Sequence, residues 1–396
     1  MTETPITTDR LRARPAVEGL RASRIRDIVN AGMGRTDVVT FWLGEPDEVT
    51  PDFIRKAGIE SLERGETFYS HNLGIPELRD ALAKYETGLH RPTTAGQVSV
   101  TSSGMEALIL VTQALLEPGD RTVVVTPVWP NVVEIPKIMG ASVETVPLTY
   151  ASATWSLDVD RLLSAVTPDT RILFLNSPNN PTGWTMDVAT RDAILEHCRR
   201  LGVWIVSDDA YERLYYRGDR RAAPSFLDAA AAEDRVVSAN TFSKAWLMTG
   251  WRLGWLVSPE ELVPSLGKLI EFNTSCSPVF VQKAGVAAVT QGEPAIAHTV
   301  KRFIRARDLL AAHLKRLPQV EVPLPEGAMY IFFKVAGVTD SVAFCKKLIA
   351  TVGLGLAPGS AFGAEGEGFV RWCFAASEAK LADGVRRLKQ ALASAT

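Results

Sequence analysis

The sequence predicts an α/β protein with a large, mostly parallel sheet flanked by helices, followed by a smaller α+β domain. Three observations carry this. The middle of the chain alternates short β-branched runs with helical patterns, the last hundred residues change to a strand–helix–strand order, and unusual polar residues follow the apolar runs. A chain of 396 residues is more than one small core needs, so more than one domain is expected. The expected division is an N-terminal segment (1–48) packing with the small domain or a partner, a large domain (49–290) and a small domain (291–396).

QVSVT (97–101) reads as a strand and MEALILVTQALL (105–116) as the helix after it. RTVVVT (121–126), RILFLN (171–176), VWIVSD (203–208), RVVSAN (235–240) and GWLVS (254–258) are the next strands. Such continuous apolar runs belong to strands buried on both faces. Helical patterns between them, such as 187–201, supply crossovers. Toward the C-terminus, residues 298–317 form an amphipathic helix with a basic face. Strands AMYIFFKV (328–335) and FVRWCFA (369–375) follow, with a helix near 341–351 between them and a last helix over 377–392.

Composition narrows the function classes. Hydrophobic residues make up 46% and charged residues 22%, ordinary for a folded domain. A net charge of −2 gives no electrostatic reason to expect nucleic acid or an anionic membrane as partner. Cys198, Cys276, Cys345 and Cys373 form no Cys-x-x-Cys pair, and the five histidines show no metal spacing, so no metal is expected. MTETPITTDR lacks the pattern of a signal peptide, and no apolar run is long enough to span a bilayer. A cytoplasmic location is the expectation.

In open α/β sheets ligands bind beyond the carboxyl ends of the strands. After 97–101, Ser102, Ser103 and Gly104 open a helix, either as an ordinary cap or as a phosphate site. After 171–176 comes SPNNPTG (177–183), a rigid turn or part of a site. Asp208 ends the next strand with Tyr211 three residues on. It serves either as a helix cap or as a buried acid that must meet a positive charge. NTFSKAWLMTGWRLGW (240–255) holds Lys244 in an apolar setting, which favours a nucleophilic amine. Ser243 and Arg252 are able to hold an anion beside it. Arg371 lies in an apolar strand, facing either water or a carboxylate. GLGLAPG (353–359) follows a helix and so lacks the context of a dinucleotide fingerprint.

These signals together describe a ligand with a phosphate, a protonated ring nitrogen, a phenolic oxygen and an aldehyde: pyridoxal 5'-phosphate. From GEPD (44–47) to RWCFA (371–375) the chain resembles the fold-type I, class I/II aminotransferases of the aspartate aminotransferase type. The resemblance implies a seven-stranded sheet, an L-amino acid and a 2-oxo acid as substrates, ping-pong kinetics, and a homodimer with shared sites. It makes Lys244 the residue joined to the cofactor aldehyde and the carrier of the substrate proton. Asp208 matches the aspartate beside the pyridine nitrogen, with Asp209 as the neighbouring candidate. Tyr211 and Asn180 match the donors to the phenolic oxygen. Ser103, Gly104, Met105, Thr241, Ser243 and Arg252 match the phosphate cradle, and Tyr69 a tyrosine that reaches the other subunit's phosphate. Trp129 matches the ring stacked on the cofactor. Arg371 matches the grip on the substrate α-carboxylate, with Gly44, Trp129 and Asn180 beside it.

One departure bears on substrate. Prokaryotic relatives specific for aspartate often carry a lysine where Met105 stands. Another branch uses an arginine near the segment corresponding to EFNTSCSP (271–278), which has none here. A pocket lined by Met105, Phe41 and Phe362 is therefore expected to take a neutral or aromatic side chain. A carbon–sulfur β-lyase, a decarboxylase on the same fold, and a non-catalytic cofactor-binding protein are the alternatives.

Overall fold

The structure, a computed structural model, describes residues 12–393. The stretch MTETPITTDR lies outside the described residues. In chain order the strands that matter here are β1 (Val39–Thr40), β2 (Val98–Thr101), β3 (Arg121–Thr126), β4 (Ser142–Pro147), β5 (Thr170–Asn176), β6 (Trp204–Asp208), β7 (Val236–Thr241) and β8 (Gly254–Val257). They continue with β9 (Val320–Glu321), β10 (Tyr330–Val335), β11 (Leu354–Gly355), β12 (Ala357–Pro358) and β13 (Phe369–Cys373). Four helices position the site or brace it: α1 (Arg24–Ala31), α2 (Gly104–Leu115), α3 (Ser341–Val352) and α4 (Glu378–Ala393).

β2 to β8 form one seven-stranded sheet in the order β2-β8-β7-β6-β5-β3-β4. All pairings are parallel except those of β8, which runs against both β7 and β2. Side-chain alternation explains the apolar runs. Val123, Val125, Leu173 and Leu175 enter one core, whereas Val124, Ile172 and Phe174 enter the core on the other face. β4 escaped the sequence reading because it is an edge strand: Ser142, Glu144 and Thr145 are exposed, so SVETVP carries no continuous apolar run.

A second sheet, β9-β10-β13-β12, is antiparallel. The segment before the large sheet joins this part of the molecule: β1 pairs in parallel with β11, and α1 packs on α3 and β12. Helix formation at α1 follows from its cap, since the Ser23 hydroxyl accepts from the Arg26 N–H at 3.2 Å. That cap also fixes which side of α1 Arg26 presents.

Candidate active site

The carboxyl edge of the large sheet meets the second sheet around a cavity of about 520 Å³, a usual size for a cofactor or small-molecule site. Turns after β2, β3, β5, β6 and β7 reach it. β8 runs the other way, so its beginning lies at the same edge and carries Arg252 and Gly254 there. Every residue predicted to hold the cofactor or the substrate carboxylate, except Tyr69 and Ser103, lines this cavity.

At the α2 end the backbone makes an anion nest. The Ser103 hydroxyl caps the helix by accepting from Glu106 N–H at 3.1 Å, so it serves the helix rather than the cavity wall. Among the described residues no acceptor meets the N–H groups of Gly104 and Met105, at the positive end of the helix dipole. Glycine is needed twice here. A Cβ on Gly104 would sit 2.9 Å from Thr241 Cβ, and one on Gly254 only 2.5 Å from Gly104 N. Thr241 and Ser243 share a hydroxyl contact of 3.0 Å, and the Arg252 guanidinium stands 3.5 Å from Ser243 Oγ. No carboxylate pairs with Arg252 among the described residues.

Asp208 and Asp209 separate clearly. Asp209 turns inward, and its two oxygens accept from Ser207 Oγ at 2.6 Å and Ser238 Oγ at 2.5 Å. Asp208 lines the cavity and, among the described residues, its carboxylate accepts only the Ala210 N–H, at 3.3 Å. Burial pushes its carboxyl up to about 6, opposed by that N–H and by the nearby Lys244 charge. An acid so poorly bonded fits a protonated ring nitrogen. Burial also pushes the Lys244 amine down, to about 8. The amine donates to Gly44 O at 2.7 Å, which ties the GEPD segment to the lysine. Tyr211 lies beside it, its ring centroid 5.7 Å from Lys244 Nζ.

Arg371 comes from β13 and is 2% exposed. Its guanidinium donates to Asn180 Oδ1 at 3.0 Å and to Trp42 O, while Nε has no partner. Tyr330 and Phe362 flank it, with ring centroids 4.4 and 4.9 Å away. No carboxylate is paired with it among the described residues. A buried, unpaired guanidinium costs several kcal/mol, a cost relieved by a carboxylate ligand.

Tyr69 is 89% exposed and away from its own chain's cavity, as a residue directed at a second subunit would be. Two expectations change: Phe41 packs tilted against Trp372 at 4.8 Å, Phe362 lies against Arg371, and neither lines the cavity. The cavity lining takes in instead Ile25, Leu43 and Leu108, with Arg26 and Tyr330. Sequence reasoning missed these because α1 and β10 reach the site only through tertiary folding. Their single signals were a hydroxyl heading the apolar run YIFFKV and a basic residue three places after a Ser cap.

The residues fit pyridoxal 5'-phosphate: an anion nest crowded enough to exclude side chains, a buried acid for the ring nitrogen, and an amine held at the cavity wall. Comparison with known proteins agrees. The family model for aminotransferase class I and II matches residues 36–388. Aspartate aminotransferase of Pyrococcus horikoshii is 32% identical over 94% of this chain and 95% of its own length. Aromatic-amino-acid aminotransferase 2 of Thermococcus litoralis is 31% identical over 95% and 97%. The structure of Thermus thermophilus aspartate aminotransferase with maleate superposes with a TM-score of 0.88 at 30% identity, covering 96% of this chain and 99% of that one. This chain belongs to the class I and II aminotransferase family and is a pyridoxal 5'-phosphate-dependent aminotransferase.

Proposed function

We propose that this enzyme moves the amino group of a neutral or aromatic L-amino acid to a 2-oxo acid by a ping-pong mechanism. The observation that carries the substrate reading is the set of apolar side chains Met105, Leu108, Leu43 and Ile25 among those lining the cavity. Arg371 grips the α-carboxylate that every substrate shares, with Asn180 orienting the guanidinium. Lys244 would hold the cofactor through its aldehyde, and its lowered basicity favours the neutral amine needed to take up and return the substrate's α-proton. When bound, the cofactor would supply the electron sink for that carbon. Asp208 would hold the proton on the ring nitrogen, Tyr211 and Asn180 would donate to the phenolic oxygen, and Trp129 would cover the ring. The α2 nest with Thr241, Ser243 and Arg252 would hold the phosphate. Arg26, exposed at the cavity and without an ion-pair partner among the described residues, supports a dicarboxylic 2-oxo acid as the second substrate.

A donor panel tests this. Phenylalanine and leucine are expected to exceed aspartate in kcat/KM by about tenfold, the discrimination an apolar pocket offers. A strong preference for aspartate over every neutral donor would end the reading. Met105→Lys is expected to shift preference toward aspartate, and an equal effect on all donors would remove Met105 from the specificity wall.

The same reading makes the enzyme a homodimer with shared sites. Phe68, Tyr69 and Phe272 are 83%, 89% and 89% exposed, which favours burial against a second subunit. Tyr69 there reaches the neighbouring phosphate. Sedimentation is expected to give a dimer, and Tyr69→Phe a weaker cofactor affinity; a monomer that binds cofactor unimpaired would refute it.

A further inference from the structure

Tyr330 heads β10 and is buried, hydroxyl included, before the apolar residues Ile331, Phe332 and Phe333. Its oxygen lies 2.7 Å from the Tyr211 hydroxyl. Its ring faces the Arg371 guanidinium at 4.4 Å. Gly44 leaves room for it, since a Cβ there would fall 2.0 Å from the Tyr330 oxygen. The same Gly44 carbonyl accepts from Lys244. One side chain thus touches the proposed phenol-binding tyrosine, the carboxylate-binding arginine and the peptide that holds the lysine.

The two hydroxyls carry two protons but make one mutual contact. If Tyr330 donates to Tyr211, the Tyr211 proton is free to point into the cavity. Donation in a chain also strengthens the terminal donor, because each bond polarises the next. We infer that Tyr330 is a positioning residue: its hydroxyl donates to Tyr211 and so directs and strengthens the Tyr211 donor, while its ring supports Arg371. This rests on the reading that Tyr211 donates to the cofactor's phenolic oxygen. The charged and titratable groups around the pair are Asp208 from β6, Lys244 after β7, and Arg371 and Cys373 from β13. Glu45 and Arg252 add to the field at Lys244. Burial raises both tyrosine hydroxyls, so both stay protonated through neutral pH.

The test is a pH titration of the visible absorbance of the cofactor bound at Lys244, with steady-state kinetics alongside. A weaker Tyr211 donor leaves the phenolic oxygen's negative charge less stabilised, so the Lys244 nitrogen keeps its proton to higher pH. Tyr330→Phe, which keeps the ring, is expected to raise the midpoint by roughly half a pH unit, part of one hydrogen bond's worth. Its KM values should stay close to the parent's. Tyr330→Leu should raise the midpoint similarly and also raise KM for donor and acceptor alike by roughly tenfold, through loss of the ring beneath Arg371. Tyr211→Phe is the reference and should move the midpoint further in the same direction. An unmoved midpoint in Tyr330→Phe beside a shifted one in Tyr211→Phe overturns the inference alone. An unmoved midpoint in both overturns the assigned role of Tyr211 as well.

Discussion

The chemistry of this site rests on groups kept from their preferred partners. Arg371 is buried without a carboxylate, Asp208 has one long hydrogen bond, and Lys244 is an amine with a carbonyl for company. Each is costly alone and is relieved by the ligand that binds it. Lys244→Ala is therefore expected to abolish the covalent attachment of cofactor. The purified variant should lack the pH-dependent visible band and should give no labelled peptide spanning position 244 after borohydride reduction. A labelled lysine elsewhere would reassign the nucleophile. Which of the two adjacent acids faces the cavity followed the expectation from the three-residue spacing to Tyr211, since Asp208 lines it while Asp209 is taken by two serines. The specificity wall was less legible. Met105 follows from its place at the α2 start, but Phe41 and Phe362 carry no mark in the sequence of the neighbours that claim them, Trp372 and Arg371.

At the scale of elements, the strand order makes the site. Five parallel strands deliver turns to one edge, and β8 brings its own beginning to that edge by running backward. Periodicity revealed the buried strands, since both faces are covered, but it carries no direction, so the reversal of β8 was invisible. β4 was invisible for the opposite reason, being half exposed. The close approach of β8 to the α2 start yields a prediction. In Gly254→Ala the new Cβ meets Gly104 N at 2.5 Å and Asn240 O at 2.7 Å, both backbone atoms that cannot swing aside. The strand must shift away from the helix end, at about 1–3 kcal/mol of stability, the usual range for overpacking. Because the same backbone forms the anion nest, cofactor affinity should fall together with Tm. A variant that loses stability but binds pyridoxal phosphate as the parent does would separate the nest from β8.

For the molecule as a whole, the acids behind the site set a pH dependence that the cofactor alone would not. Glu86 is fully buried; Oε1 accepts from Trp255 Nε1 at 2.8 Å, and Oε2 has no partner. Burial, then the neighbouring Glu212 charge, pushes its carboxyl well up against the pull of His90. Asp209 is raised to about 7, again chiefly by burial. His90, wedged between Asp228 at 2.7 Å and Glu212 at 3.0 Å, is raised to about 11, because those bonds outweigh burial. All three bind protons more tightly folded than unfolded. For the two acids that contribution is complete below the ordinary carboxylate range and is lost progressively from there up to the folded values; for His90 it is complete below about 6.5 and is lost progressively above that, as the unfolded imidazole gives up its proton while the folded one keeps it up to about 11. Stability should therefore decline between pH 6 and 8 through Glu86 and Asp209, joined above about 6.5 by His90, which stays charged only in the folded chain. Glu86→Gln keeps the acceptor for Trp255 and removes the titrating proton. It is expected to lessen the decline by roughly 1–2 kcal/mol, seen as a Tm that changes less between those two pH values than the parent's. An unchanged slope would mean that Glu86 keeps one protonation state across this range, and the decline would then belong to Asp209 and His90.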